Sequence, residues 1–250
     1  MRRLILLLIL SAVLSSFSAA QSTPQPVSIS VDPGLELSFN SIRALVGPEK
    51  TANTLNFLAT RLALKMDIIE YLSVEVLAGF HYAYASDPLD FTSMPLSLRW
   101  DREKFSGLLL GLAASSEPLT MDYFSLKVRG EFTWAMEKEK TWEIELPSVS
   151  GEATGDNAFS LLTLDVTVQY DGFTGVTIFA GPRLNLLNGT FTAAESIIDL
   201  QGQQEFSYRQ KNFFAVLAGA VIEMGGNWEL NVKASLLGRT ELSLAVFYIF

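Results

Sequence analysis

The sequence predicts an all-β fold, a single closed antiparallel transmembrane β-barrel of about twelve strands, with ten and fourteen as the alternative even counts. Three observations predict it. Hydrophobic residues make up 49% of the chain, yet beyond Leu14 no apolar run approaches the ~20 residues that a spanning helix needs. From about residue 35 to the end, apolar side chains alternate with polar or small ones, the period-2 pattern that divides a strand into two faces. The links between these segments are tight at one end and longer at the other. Closure follows from the solvent, because an open sheet edge in lipid leaves backbone groups unpaired with no water to take them.

The elements follow in order. Arg2 and Arg3 precede an apolar run over residues 4–14, then Ser-Ser-Phe-Ser-Ala-Ala. Ser18 and Ala20 suit cleavage before Gln21, so residues 1–20 read as an export leader. Loss of Arg2 and Arg3 takes the formal net charge from −9 to −11, which argues against nucleic acid and against a basic membrane-surface mode. The chain has no Cys, which excludes disulfides, thiol chemistry and lipid attachment at cysteine. Residues 21–34 contain Pro and Ser and read as a tail; residues 35–250 form the barrel.

Twelve alternating segments are predicted, at roughly 35–46, 55–66, 72–84, 94–100, 107–115, 124–134, 141–146, 162–170, 176–186, 212–224, 228–236 and 242–250. The third is the cleanest: Leu72, Val74, Val76, Ala78, Phe80, Tyr82 and Tyr84 share one face, and Ser73, Glu75, Gly79 and His81 lie on the other. With the first strand running outward, the tight links fall at 67–70, 101–104, 137–140, 171–173 and 225–227. The longest, 147–157 and 188–211, fall at the opposite end. The capping-box pattern Thr192-Ala-Ala-Glu195 before an apolar turn predicts a short helix in the last of these. This orientation gathers Trp100, Trp134, Trp142 and Trp228, with Tyr71, Tyr170 and Tyr248, into an aromatic girdle at the inner rim.

The C-terminal segment carries the family signal. Leu242, Leu244, Val246, Tyr248 and Phe250 share one face and the chain stops on the aromatic ring. This resembles the closing strand of bacterial outer-membrane β-barrel proteins. The resemblance implies an outer-membrane location with short periplasmic turns, contact with membrane lipid, and recognition of the last strand by the barrel assembly machinery.

The second face is polar. Arg61, Glu75, Arg99, Lys127, Arg129, Glu131, Asp165 and Arg183, with Glu36, Glu229 and Lys233, are predicted to face the lumen. Arg99, Lys127, Arg129 and Glu131 are the candidate constriction. Phe57, Phe159, Phe179, Phe213 and Phe247 share the inner face and narrow any pore. Two readings of the charges stand: a polar channel lining, or a salt-bridge network that fills the interior. The leading functional expectation is a narrow porin-like channel for small polar solutes. The second is a closed structural or surface-interaction barrel. The third, an outer-membrane hydrolase or protease built on His81 with Asp87 or Asp90, lacks the Ser that lipid hydrolases place two residues after the His, since Ala83 stands there. No catalytic residues, metal ligands or cofactor are predicted.

Overall fold

A computed structural model describes residues 30–69, 71–95, 98–146, 149–197 and 200–250. The expected leader and residues 21–29 lie outside these. The described residues form fourteen strands and no helix: β1 (Ser30–Val46), β2 (Thr51–Ile69), β3 (Leu72–Ala85), β4 (Leu89–Phe91), β5 (Leu98–Trp100), β6 (Phe105–Met121), β7 (Phe124–Glu137), β8 (Lys140–Leu146), β9 (Val149–Phe173), β10 (Val176–Ile197), β11 (Leu200–Gln210), β12 (Phe214–Glu223), β13 (Trp228–Leu237) and β14 (Arg239–Tyr248). Twelve belong to one antiparallel sheet, and β4 and β5 form a separate hairpin. β1 begins at Ser30, so residues 30–34, expected in the tail, are already paired with β2.

The twelve-stranded sheet closes in two storeys. In the lower storey the neighbours run β1, β2, β3, β6, β7, β9, β10, β12, β13, β14 and back to β1. The seam is the ladder from Gly34↔Phe247 to Ile42↔Arg239. Ten strands therefore cross, the lower of the expected alternatives, while β8 and β11 belong to the sheet without crossing. The upper storey is narrower. There β11 replaces β12, β13 and β14, pairing with β10 from Asn188↔Arg209 upward and with β1 at Ala44, Leu45 and Val46. Following partners once around this ring of eight, from Leu45 through Arg209, Asn188, Ser160, Trp134, Leu110, Ala78 and Leu62, returns to β1 at Leu35. That ten-residue stagger is the shear that makes barrel strands tilt.

Strand lengths set the membrane position. β12, β13 and β14 have 10 residues each, the ~9–11 that a tilted strand needs to cross the hydrocarbon. β9 and β10 have 25 and 22 and continue well above the bilayer. The three short strands end in a shoulder, where Asn185 donates its backbone N–H to Phe213 O at 2.7 Å and Lys211 donates to Arg43 O at 2.8 Å. The lower outward face is apolar: Leu35, Leu62, Phe80, Leu112 and Leu242 are all exposed. At the opposite end the turns at 122–123, 174–175 and 224–227 are tight.

The structure changes four sequence-based expectations. The described residues of the segment expected at 94–100 do not cross: Met94 lies between β4 and β5, and Leu98–Trp100 is β5. Residues 141–146 are β8, paired only with the upper part of β9. Residues 147–157 and 188–211 are not irregular loops, since their described parts extend β9 and β10 and form β11. The segment around Thr192 and Glu195 is strand, because its partners on β9 and β11 offer a full ladder on both sides, and tertiary pairing overrides a local helix signal.

Candidate functional site

The lumen of the lower storey contains two charged layers. Arg61 on β2 donates to Glu36 Oε1 on β1 and to Glu131 Oε1 on β7, both at 2.6 Å. Arg129 on β7 donates to Glu131 Oε2 at 2.5 Å and to Glu75 Oε2 on β3 at 2.8 Å. Ser243 on β14 donates to Glu36 at 2.7 Å, and Thr133 to Glu131 at 3.2 Å. Lys233 on β13 adds a cation within Coulombic reach of all three glutamates. The second layer centres on Arg183 of β10. It grips Asp165 of β9 with two bonds, at 2.5 and 2.7 Å, and also pairs with Glu241 of β14. Arg239 reaches Glu241 at 3.1 Å, Asn40 at 2.6 Å and Asn185 at 3.2 Å. Side-chain exposures of 3–15% across both layers put these charges out of water. Burial of that kind is tolerable only with partners and further hydrogen bonds, which both layers have.

Above these layers the upper storey has an apolar core. Ile42, Leu55, Phe57, Phe105, Phe159, Leu161, Leu187 and Phe191 line it. The β4–β5 hairpin fills its mouth, burying Leu89, Phe91, Met94 and Trp100. Phe91 stacks on Phe206 at 4.7 Å and lies 4.4 Å from Trp100, which in turn packs on Phe105 and Trp142. The hairpin is its own two-stranded sheet and is joined to β11 by Ser93 N–H donating to Gln204 Oε1 at 2.9 Å. A mainly apolar interior, with a few buried polar groups such as Asn157 and His81, beneath an aromatic stopper is the packing of a soluble core, placed here above the membrane.

The expected site residues fall into distinct groups. Arg61, Glu75, Arg129, Glu131, Asp165 and Arg183 meet in the two layers. Lys127 lies nearer the periplasmic end, 3.4 Å from Glu117. Arg99 is not in the lumen: it sits on β5, its side chain 65% exposed and 3.6 Å from Asp90, because its segment is hairpin and not barrel wall. The girdle divides likewise. Tyr71, Tyr170, Trp228 and Tyr248 lie at the periplasmic end, with Trp228 and Tyr248 edge to face at 5.1 Å. Trp134 is at the outer end of β7, since β7 runs outward. Trp100 is 3% exposed and Trp142 packs against it, so both belong to the extracellular core. Phe213, expected inside, is exposed at the shoulder. Leu242, Leu244 and Phe250 are exposed to the lipid side or the rim.

His81 is buried on β3, with its ring edge-on to Phe159 at 5.2 Å and a hydrogen bond to the backbone of Gly107. Asp90 turns outward to Arg99. Among the described residues no group of His, Asp and Glu is arranged to hold a metal. Sequence reasoning placed Asn185 on the polar face beside Arg183 without a role, and missed Arg239, Glu241 and Asn40. The signal for two of them was present, because Glu241 and Arg239 continue the inner face of Ser243, Ala245 and Phe247.

No protein-family model matches the chain, and no curated protein matches it. Solved structures do. The outer membrane protease OmpT from Escherichia coli superposes with a TM-score of 0.50 at 9% identity, over 92% of this chain and 99% of that one. The translocator domain of the autotransporter NalP from Neisseria meningitidis gives 0.48 at 12%, over 97% and 95%. An outer membrane channel from Pseudomonas putida F1 gives 0.40 at 11%, over 92% and 98%. The fold is that of a bacterial outer-membrane β-barrel, and its apolar outer face meets membrane lipid.

Proposed function

We propose that this protein is an outer-membrane barrel closed by its own side chains, and that its extracellular storey is the working surface. The observation that carries this reading is Arg61, paired with its ladder neighbour Glu36, reaching Glu131 across the lumen. A pore that selects solutes by charge needs charged groups facing water. Here those groups are paired with each other in two layers, beneath an aromatic stopper. The geometry favours the closed barrel over the porin-like channel.

One observation favours the channel as a second reading. The β4–β5 hairpin is outside the barrel ladder, so displacing it costs side-chain packing without breaking barrel pairing. The charged layers below remain in place. On either reading residues 1–20 are proposed to be a cleaved leader, and the outward face of Leu242, Leu244, Val246, Tyr248 and Phe250 the segment that the assembly machinery reads.

Liposome swelling tests the proposal. Vesicles carrying the refolded chain are placed in isotonic solutions of small sugars and amino acids. Swelling no faster than in protein-free vesicles is expected. Swelling that falls with solute size establishes a pore and overturns the closed reading.

A further inference from the structure

The outward face of the upper storey carries a groove of about 530 Å³ directly above the shoulder. One row of cross-strand partners crosses it: Trp134 on β7, Ser160 on β9, Asn188 on β10, Arg209 on β11 and Leu45 on β1. Four strand spacings of about 4.8 Å make this row ~19 Å wide. Its floor is small and polar, with Gly189, Ala158 and Ser207 beside Ser160 and Thr190. Gly189 admits no side chain, since a Cβ there would lie 2.4 Å from the Tyr208 ring.

The row marks a boundary of polarity. In the row beneath it, β7, β9 and β10 present the apolar Phe132, Leu162 and Leu186, while β1 and the end of β11 present Arg43 and Lys211. Ten residues separate the start of β7 from Trp134, and at ~3.3 Å per residue and a ~45° tilt they rise ~23 Å, about the height of the apolar band of such barrels. The groove therefore sits at headgroup depth in the external leaflet. Trp134 stands at its edge, where an amphipathic ring is favoured.

Cations gather at this depth. Arg209 and Lys50 border the groove, and Arg43 and Lys211 are exposed on the adjoining strand and shoulder. None of the four makes a side-chain ion pair or hydrogen bond among the described residues. In a chain of net charge −9, four exposed cations without ion pairs, against the one neighbouring carboxylate of Glu49, give the groove a local excess of the opposite sign. Such a field at a membrane surface attracts anionic headgroups. Below it, Phe213, Phe214 and Leu237 are exposed on the shoulder and offer apolar surface to acyl chains.

We propose that this groove binds the phosphate-bearing headgroup of a saccharolipid in the external leaflet. Arg209 and Lys50 pair with phosphate, and Asn188, Ser160 and Thr190 offer hydrogen bonds to sugar hydroxyls. The acyl chains descend over Leu186, Leu162 and the shoulder. The site rests on the reading that the ten-residue strands span the bilayer.

The test uses the refolded full chain. Flotation with neutral phosphatidylcholine vesicles checks the membrane reading first; failure to incorporate overturns that reading and the site with it. Affinity is then measured in neutral detergent for diphosphoryl lipid A and for its dephosphorylated form. Arg209→Ser/Lys50→Ser is compared with Lys104→Ser/Lys138→Ser, two exposed positions away from the groove. Removing the phosphates, or the two groove cations, is expected to weaken binding by about tenfold or more, with the control pair unchanged. Equal affinity for the two lipids, which needs no variant, overturns the proposal, as does an unaffected groove variant that keeps the wild-type heat-modifiable fold. Displacement of lipid A by inorganic phosphate at comparable concentration shows a simple anion site and overturns the lipid assignment.

Discussion

Arg61 and Glu131 meet at 2.6 Å across the barrel interior, from β2 and β7, which stand three places apart around the ring. The same guanidinium holds Glu36 on β1. One side chain thus ties the paired strands β1 and β2 to β7, which ladders with neither, and its charge is what makes two buried carboxylates tolerable. Replacing Arg61 by Ala leaves Glu36 and Glu131 buried without it, at a cost of about 3–5 kcal/mol. Urea unfolding in lipid vesicles measures this. Arg61→Met combined with Glu36→Gln and Glu131→Gln should recover most of the loss, because the penalty belongs to the stranded charges and not to the missing side chain. A triple variant as unstable as Arg61→Ala contradicts that account.

The extracellular stopper makes a separate prediction. Trp100 is 3% exposed and touches Phe91, Phe105, Trp142 and Phe191. Trp100→Ala removes a buried aromatic at a typical cost of about 3–5 kcal/mol. The loss should be local, because β4 and β5 pair only with each other. Limited proteolysis is expected to cut the variant between residues 86 and 104 while the barrel keeps its heat-modifiable migration. Global unfolding of the variant contradicts the separation of stopper from wall.

The strands that cross the membrane were legible as alternation, and so was the inner polar face. Which alternating segments cross was not. The segments at 94–100 and 141–146 alternate like the others, but Met94, Trp100 and Trp142 pack into an extracellular core instead of facing lipid, and a period of two does not say which solvent lies on the far side. Counting the first as a crossing inverts the direction assigned to β6 and β7. That inversion puts Trp134 at the wrong rim and the turn at 122–123 on the wrong side. Counting the second as a crossing restores the parity, so β9 to β14 are read in their true direction. The inner layers were half legible: Arg61, Arg129, Glu131, Asp165 and Arg183 follow from phase alone. Their partners across the ring depend on shear, which no local pattern carries.

The closing seam depends on one glycine. A Cβ on Gly34 would lie 2.4 Å from the Phe247 ring, which packs into the lumen where β14 meets β1. Gly34→Val should therefore push this ring aside and destabilise the barrel by about 1–3 kcal/mol. Adding Phe247→Ala should make the valine less harmful than it is alone. A double-mutant cycle of unfolding free energies reads the coupling, and strictly additive effects contradict the contact.

At the end of the chain, Phe250 packs edge-on to Tyr248 at 4.8 Å, and its backbone N–H donates to Asp32 at 3.3 Å. The ring itself is 77% exposed. Deleting Phe250 should cost little stability in vitro, within about 1 kcal/mol for an exposed group. It should lower the amount of folded barrel recovered from the outer membrane of cells, if that face is what the assembly machinery reads. Equal recovery with and without Phe250 contradicts this role.

Single-channel recording from the refolded chain in a planar bilayer tests the closed barrel most directly. The wild type is expected to insert without producing open steps. Breaking the first layer with Arg129→Ala and Glu131→Ala, together with removal of hairpin residues 89–100, is expected to produce them, because both closures then fail. Reproducible open steps from the wild type, with an ion selectivity altered by Arg129→Ala alone, contradict the account and establish a conducting pore with its filter at Arg129.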